Sequence, residues 1–193
     1  KAIISKGVLI NAAREQTTQA VVASKPESGE NGSEQEVLVD ADDETHIYNF
    51  GGSLGAAGSV GVGASVVTLV FGKTVQALVD TDSYLFAKKG ISINAHNSDD
   101  LYIGAISFAG GGTAGVSVGA SVLVFENTVS ASFGGKANTD GTFALLATSD
   151  ETLLNVTTCV SGSGTAAVVP VAVITYYKGT TSSSLLPYAF VAA

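Results

Sequence analysis

Acidic side chains in this sequence occur in short clusters whose oxygen atoms could bind a cation. Carboxylate oxygens are the ligands that calcium prefers, and turns of a repeating fold bring such clusters together. The sequence lacks a calcium-binding nonapeptide repeat and an EF-hand loop, so solvated turns are the main interpretation and calcium is the alternative. No other cofactor is expected. The weak calcium candidates are Asp99, Asp100, Asp150 and Glu151.

Histidine is the residue that hydrolytic catalysis would need beside a serine and an acid. The only two histidines, His46 and His96, occur at nearly equivalent repeat positions next to Asp and Glu. A solvated turn is the expected environment of each, with a weak metal site or a catalytic base as the alternative. Only nine Lys and Arg are present, and none recurs in phase within the repeated strands. We therefore expect a protein that is not an enzyme.

Composition excludes several further classes of function. Nine basic residues against seventeen acidic ones leave a net charge of −8, which disfavours a nucleic-acid partner. The single cysteine, Cys159, excludes an intrachain disulfide and is expected to be a small buried residue. The uncharged run Gly55–Gly72 has a period of two rather than 3.6, which predicts a strand and no transmembrane segment.

A repeat of roughly fifty residues is the strongest signal in the chain. Gly63-Ala64-Ser65 recurs as Gly119-Ala120-Ser121 at an offset of 56, whereas Phe71 recurs as Phe125 at an offset of 54, which indicates a two-residue deletion. A third, weaker copy follows at an offset of 52, with Tyr177 in the position of Phe125.

The other half of the unit repeats as well. Gly90–Asn94 resembles Gly141–Leu145 at an offset of 51, and Gly7–Asn11 resembles both. We therefore divide the single β-repeat domain 1–193 into a partial unit, an acidic turn-rich loop expected to protrude, and three full units. Their ranges are 1–24, 25–36, 37–90, 91–141 and 142–193.

Strict alternation of apolar and small residues predicts strands with one buried face. Val62 and Val118, with the other valines of their strands, are expected to point into the core, while Gly63 and Ser65 face outward. The predicted fold is all-β, a parallel β-helix or β-solenoid with two coils per unit, and an antiparallel β-sandwich or barrel is the alternative. The aromatic residues expected to stack inside the solenoid are Phe71, Phe125 and Tyr177.

The motif Gly-Xaa-Val-Gly-Ala-Ser-Val followed by Phe-Xaa-Asn-Thr-Val-Xaa-Ala (Phe125–Ala131) resembles repeats of large bacterial surface adhesins. These are the filamentous haemagglutinin-like and leukotoxin-like exoproteins, and the resemblance covers roughly residues 47–181. The first copy departs from it at Gly72-Lys73 and the third at Lys178-Gly179. The resemblance implies a secreted or surface-displayed β-helical stalk and carries over no catalytic residues.

The expected function is therefore a structural segment of a surface adhesin or extracellular filament. The alternatives are a ligand-binding or pore-forming β module and a carbohydrate-active β-helix enzyme. The third unit stops close to the position at which the first residues take up the same phase, and neither end shows a polar capping helix. The expected partners are other copies joined end to end, or neighbouring repeats of a longer chain.

Overall fold

The computed structural model describes residues 1–10 and 36–193, and these form a parallel β-solenoid. All strand pairings within it are parallel, which confirms the predicted fold class, and the antiparallel alternative is wrong. Within the described residues no helix is long and apolar enough to cross a membrane. The strands are β1 Ala2–Ile4, β2 Leu9–Ile10, β3 Glu36–Ala57, β4 Val60–Val79, β5 Tyr84–Ala87, β6 Gly90–Gly111, β7 Ala114–Phe133, β8 Lys136–Thr139, β9 Thr142–Ser163, β10 Ala166–Val168, β11 Val171–Leu185 and β12 Phe190–Ala192.

Three sheets form the sides of a flattened coil. Sheet 1 contains β3, β6 and β9; sheet 2 contains β1, β4 and β7, with β10 and β11 both pairing with β7; sheet 3 contains β2, β5, β8 and β12. A full coil has a 22-residue strand in sheet 1, a 20-residue strand in sheet 2 and a 4-residue strand in sheet 3. Each unit is therefore one coil, and the prediction of two coils per unit is wrong, because the two long strands occupy most of its residues.

The register of the sheets corrects the repeat offsets. Gly63 pairs with Ser117, so the first two coils are related by 54 positions (117 − 63) along the whole of β4, and the Gly-Ala-Ser offset of 56 is wrong. The two-residue deletion lies instead in the turn after β7, where residues 134–135 correspond to residues 80–83 after β4. Gly90 pairs with Thr142 rather than with Gly141.

The amino-terminal residues also lie elsewhere than predicted. Leu9 and Ile10 pair with Tyr84 and Leu85 in sheet 3, so the match of this segment to Gly90–Asn94 is wrong. Of the predicted acidic loop, residues 25–35 lie outside the described residues, and Glu36 is the first residue of β3. Residues 11–24 of the predicted partial unit also lie outside them.

The widest part of the interior lies beside sheet 3 and is apolar. Aliphatic and aromatic side chains from all three sheets meet there, and Phe133 contacts the ring of Phe143 edge to face at 5.2 Å. We call this cluster the proximal core. Its buried members are Val37, Val39, Ala41, Val75, Ala77, Val79, Leu85, Ala87, Ile91, Ile93, Ala95, Val129, Ala131, Phe133 and Ala137.

A second apolar cluster, the distal core, lies further along the long strands. The rings of Phe71, Phe125 and Tyr177 stack there at centroid distances of 5.6 and 5.5 Å, which confirms the predicted aromatic ladder. Stacking at equivalent positions of successive coils follows from parallel pairing without a register shift. The buried members of the distal core are Val67, Leu101, Ile103, Ala105, Leu123 and Phe125.

Beyond the distal core the predicted faces are reversed. Gly61, Gly63 and Ser65 point inward, whereas Val62 is 60% exposed and Val66 is 70% exposed. The reason is that the two long sheets approach so closely that a Cβ on Gly61 would overlap the carbonyl oxygen of Gly110. Only glycine and other small residues fit between them, so the valines must occupy the outer faces.

Hydroxyl groups hold the two sheets together in this narrow region. Ser117 of sheet 2 donates a hydrogen bond to the carbonyl oxygen of Ser107 in sheet 1 at 2.8 Å, and Ser121 of sheet 2 bonds with Thr157 of sheet 1 at 2.7 Å. Cys159 also points inward, opposite Gly119, and is partly buried rather than fully so. The narrow end of the interior thus contains short polar side chains, of which Ser117 and Ser121 have hydrogen-bond partners and Ser161 Oγ has none.

Gly61→Ala is expected to destabilise the fold by about 3 kcal/mol, because the new methyl group must displace main-chain atoms of the opposite sheet. Gly110→Ala is the matched control, since nothing lies within 4 Å of the Cβ position at that glycine. Thermal or urea unfolding of the two variants measures the difference. Equal loss in both variants would contradict the close approach of the sheets.

Val62→Thr tests the assignment of the faces at the adjacent position. A side chain that is 60% exposed loses little on gaining a hydroxyl, so the stability is expected to change by less than about 1 kcal/mol. A loss of several kcal/mol in urea unfolding would restore the original assignment, in which the valines are the core.

Candidate functional site

A polar column crosses the interior between the proximal and distal cores. It is built from equivalent positions of successive coils, so that each coil contributes two inward residues from sheet 1 and one from sheet 2. Gly179 occupies the sheet 2 position in the third coil. The side chains of the polar column are Asp43, Thr45 and Lys73 from the first coil, Asn97, Asp99 and Asn127 from the second, and Ser149 and Glu151 from the third.

Lys73 is the one cation of the polar column, and it joins the first coil to the second. Its Nζ lies 2.5 Å from Oδ1 of Asp43 and 2.6 Å from Oδ1 of Asp99, and it donates to Thr45 Oγ1 at 3.1 Å. The contact with Asp99 is an ion pair without the alignment of a hydrogen bond. Because the Asp99 side chain is fully buried, Lys73 is the group that compensates its charge.

Amides continue the polar column from the second coil into the third. Asn97 Nδ2 donates to Asp99 Oδ2 at 2.6 Å, and Asn127 Nδ2 donates to Glu151 Oε1 at 2.9 Å and to Ser149 Oγ at 2.8 Å. Ser149 also donates to Glu151. The Oδ1 atoms of both asparagines accept no hydrogen bond, so each amide is only half satisfied.

Tyr177 closes the polar column at the third coil. Its ring belongs to the aromatic ladder and extends over Gly179, where a Cβ would collide with the phenol oxygen. Partial burial, the hydrogen bond with Glu151 and the negative charge of Glu151 together raise the pKa of Tyr177 to about 12. The neutral phenol is thus the form that the fold stabilises, and this contribution is lost as pH rises from 10 through about 12.

The pKa of Asp43 is lowered, chiefly by its hydrogen bond with Lys73, while partial burial acts in the opposite direction. A carboxyl group whose pKa is lowered on folding stabilises the fold above its unfolded value of 3.8. That contribution is lost as pH falls through the lowered value. The polar column contains three acidic side chains, Asp43, Asp99 and Glu151, and one lysine.

The four calcium candidates do not come together. Asp99 and Glu151 point into the polar column, whereas Asp100 and Asp150 lie on the outer face of sheet 1. Side chains at successive positions of a strand point to opposite faces. Asp99 therefore cannot share a cation with its sequence neighbour Asp100, nor can Asp150 with Glu151. Across residues 1–10 and 36–193, no group of three or more His, Cys, Asp or Glu is arranged to hold a metal ion.

The two histidines lie on the outer face of sheet 1 in different environments. His46 contacts Asp100 through Nδ1 and Glu44 through Nε2, each at 3.0 Å, while His96 Nδ1 lies 2.8 Å from Thr148 Oγ1. The hydrogen bond with Glu44 raises the pKa of His46, so this contact stabilises the fold below pH 6.5 and is lost as pH rises through the raised value. Within the described residues, neither histidine contacts both a hydroxyl group and a carboxylate, which is the arrangement of a hydrolytic triad.

Two shallow depressions flank the corner between sheets 2 and 3. They have volumes of about 320 and 370 Å³, and both are lined by Tyr84 and Lys136. The larger depression lies at the two-residue turn of the second coil, between the four-residue turns of the first and third coils. Each four-residue turn has one residue at positive φ, Asp82 (60°) in the first coil and Tyr188 (67°) in the third. It follows from the deletion in the repeat.

Sequence reasoning missed the polar column, because Lys73 counts there as a departure from the repeat motif and Asn127 only as a member of it. Their position in the alternation was the available signal, since both fall in phase with the inward Phe71 and Phe125.

Comparison of the chain with protein-family models, with curated proteins and with solved structures gives no match.

Lys73→Met is expected to destabilise the protein by about 3–5 kcal/mol, because it leaves the buried Asp99 without a counter-charge. Lys6→Met is the control, since Lys6 and Asp82 form an exposed ion pair at 3.1 Å that contributes little. Urea unfolding measures both. Combining Lys73→Met with Asp99→Asn should recover part of the loss, and equal stability of the two single variants would contradict the role of Lys73.

Tyr177→Phe is expected to remove one late step from the alkaline titration of the six tyrosines. In the native protein this phenol should ionise near pH 12, since its raised pKa reflects burial beside Glu151. Ultraviolet difference absorbance measures the titration, with circular dichroism reporting that the fold persists. Tyr188→Phe, at a fully exposed turn, should leave the late step in place. A single step for all tyrosines in the folded protein would refute this environment.

Proposed function

We propose that this chain is a structural segment of a bacterial surface adhesin or extracellular filament, in which its coils stack on further coils of the same kind. The observation that carries the proposal is the continuity of the parallel ladders through all three sheets. Main-chain hydrogen bonds run along one axis, so additional coils extend the same ladders without a change of geometry.

The terminal strands support this proposal. Within the described residues, β3 and β9 each pair with a neighbouring strand on one side only. β4 pairs with β7 along its length, but on its other side it pairs only with the short strand β1, at Ala77–Val79. Such edges present rows of free N–H and C=O groups that template pairing with another strand. Their lengths of 22 and 20 residues make them unusually large templates.

The interior supports a mechanical rather than a catalytic role. The polar column joins one coil to the next, and its members from the second coil, Asn97, Asp99 and Asn127, are buried. The exposed His46 contacts the carboxylates of Glu44 and Asp100, and within the described residues it contacts no nucleophilic side chain. The resemblance to adhesin repeats supports an extracellular or cell-surface location and a role as a stalk.

End-to-end stacking makes a prediction about the shape of the assembled protein. Each copy should lengthen a rod by about 15 Å, since three coils are spaced by about 4.8 Å each. Sedimentation velocity and negative-stain microscopy over a concentration series should show thin rods that lengthen with concentration. A protein that stays strictly monomeric at high concentration would contradict the proposal.

Proline substitution in β11, the outermost strand of sheet 2, tests whether its free edge takes part in stacking. Successive N–H groups of a strand point to opposite sides, so one of Thr180→Pro and Thr181→Pro removes a bond to β7 and the other removes a free edge donor. The variant that remains folded should form shorter rods than the unmodified chain. Rods of unchanged length in that folded variant would also contradict edge-to-edge stacking.

A further inference from the structure

The half of the solenoid beyond the polar column carries no charge. Residues 47–71, 101–125 and 153–177 contain no Asp, Glu, Lys, Arg or His, so every ionisable side chain of those types in the chain lies outside them. The three segments begin at paired positions, Ile47, Leu101 and Leu153, and end at the aromatic ladder. We call this uncharged half the blade.

The blade is apolar on its outside. Inside, the blade contains the distal core and, beyond it, only small residues, so its remaining large side chains lie on its two outer faces. On the sheet 1 face these are mainly aromatic and branched, including Tyr48, Phe50, Leu54, Ile106, Phe108, Leu154, Val156 and Val160. On the sheet 2 face they are mainly valines, including Val60, Val62, Val66, Val70, Val116, Val118, Val122, Val124 and Val168.

Such a surface is unusual for a protein in water. Val70 is 71% exposed and Leu54 is 79% exposed, and the apolar residues are contiguous rather than scattered. A blade face spans about 11 residues of about 3.3 Å and three strands of about 4.8 Å, so it measures about 500 Å². Contiguous apolar patches of this size lie at the upper end of what monomeric proteins expose and are often functional surfaces.

Two partners have the required apolar character, a lipid bilayer and a second copy of the chain. The blade is about 36 Å long, which is comparable with the hydrocarbon thickness of about 30 Å. Within the described residues, however, β3 and β9 present free strand edges along the whole blade. Hydrocarbon cannot satisfy the N–H and C=O groups of an open edge, so a bilayer is disfavoured for a copy that is not stacked end to end.

The sheet 2 face suits a second copy. Its branched side chains lie in register, Val62 beside Val116 and Val70 beside Val124, and form straight ridges along the solenoid axis. Two such faces interdigitate at a sheet spacing of about 10 Å without disturbing any strand edge. Two copies together would bury about 1,000 Å², which is the lower limit for a specific interface and predicts a weak, concentration-dependent contact.

We propose that the sheet 2 face of the blade is a lateral docking surface for the same face of a second copy. This contact is perpendicular to the solenoid axis, so it does not depend on the end-to-end stacking described above. It widens an assembly, whereas end-to-end stacking lengthens it. Lateral pairing would hold parallel rods together through their blades and leave their charged halves in solvent.

The test compares charges placed on one face of one strand. Val118→Lys and Val122→Lys each put an ammonium into the proposed contact and should weaken pairing at least about tenfold, a change of about 1.4 kcal/mol. Thr128→Lys adds the same charge on the outer face of β7 outside the blade and should leave pairing unchanged. Sedimentation equilibrium measures association, and microscopy measures rod width.

Val118→Thr covers the case in which a lysine variant fails to fold, because it keeps the shape of valine and should weaken pairing less than lysine does. Folding is followed by circular dichroism. Association that is unaffected by any of the blade variants, or lost equally in Thr128→Lys, would overturn the proposal. Flotation of the chain with neutral phosphatidylcholine vesicles, abolished by Val118→Lys, would also overturn it in favour of lipid.

Discussion

The close approach of the two long sheets is the constraint on which the rest of this structure depends. Where Gly61 and Gly63 lie against the main chain of Gly110 and Phe108, no Cβ fits between the sheets. The interior there consists of main chain and small side chains such as Ser107, Ala109 and Cys159, and the large apolar side chains lie on the outside. A flat blade with apolar faces follows from this geometry, because a strand with one small face and one large face must expose the large one when the gap is narrow.

Register is the second requirement, and long strands make it difficult to specify. In a strand that alternates between small residues and valine, a shift of two positions keeps every side chain on its own face. The Gly-Ala-Ser motif would even favour such a shift, since it matches at 56 rather than 54 positions. The ladder of Phe71, Phe125 and Tyr177 and the ion pair of Lys73 with Asp99 oppose it, because both require particular residues to meet.

These two requirements divide the molecule into parts with different roles. The proximal core beside sheet 3 supplies apolar burial, and the polar column and the aromatic ladder define the alignment of the coils. Beyond the distal core the blade contributes little apolar burial, because its large side chains there lie on the outer faces. The strand edges and blade faces are thus the two surfaces through which we propose that copies assemble, one along the solenoid axis and one across it.

The sequence by itself determined the parallel repeat fold, the period of each strand and the aromatic ladder. Alternation and spacing are local properties, and equivalent positions such as Phe71 and Phe125 stack in any parallel coil. Only the tertiary structure decided which face of each strand is inside. A period of two leaves open which of the two faces of a strand is inside. The assumption that the more hydrophobic face is buried gave the wrong face for Val62 and Val118, because the distance between the sheets is not encoded in any single strand. The polar column was hidden for the same reason, since Lys73 and Asp99 are distant in sequence and meet only when two sheets face each other.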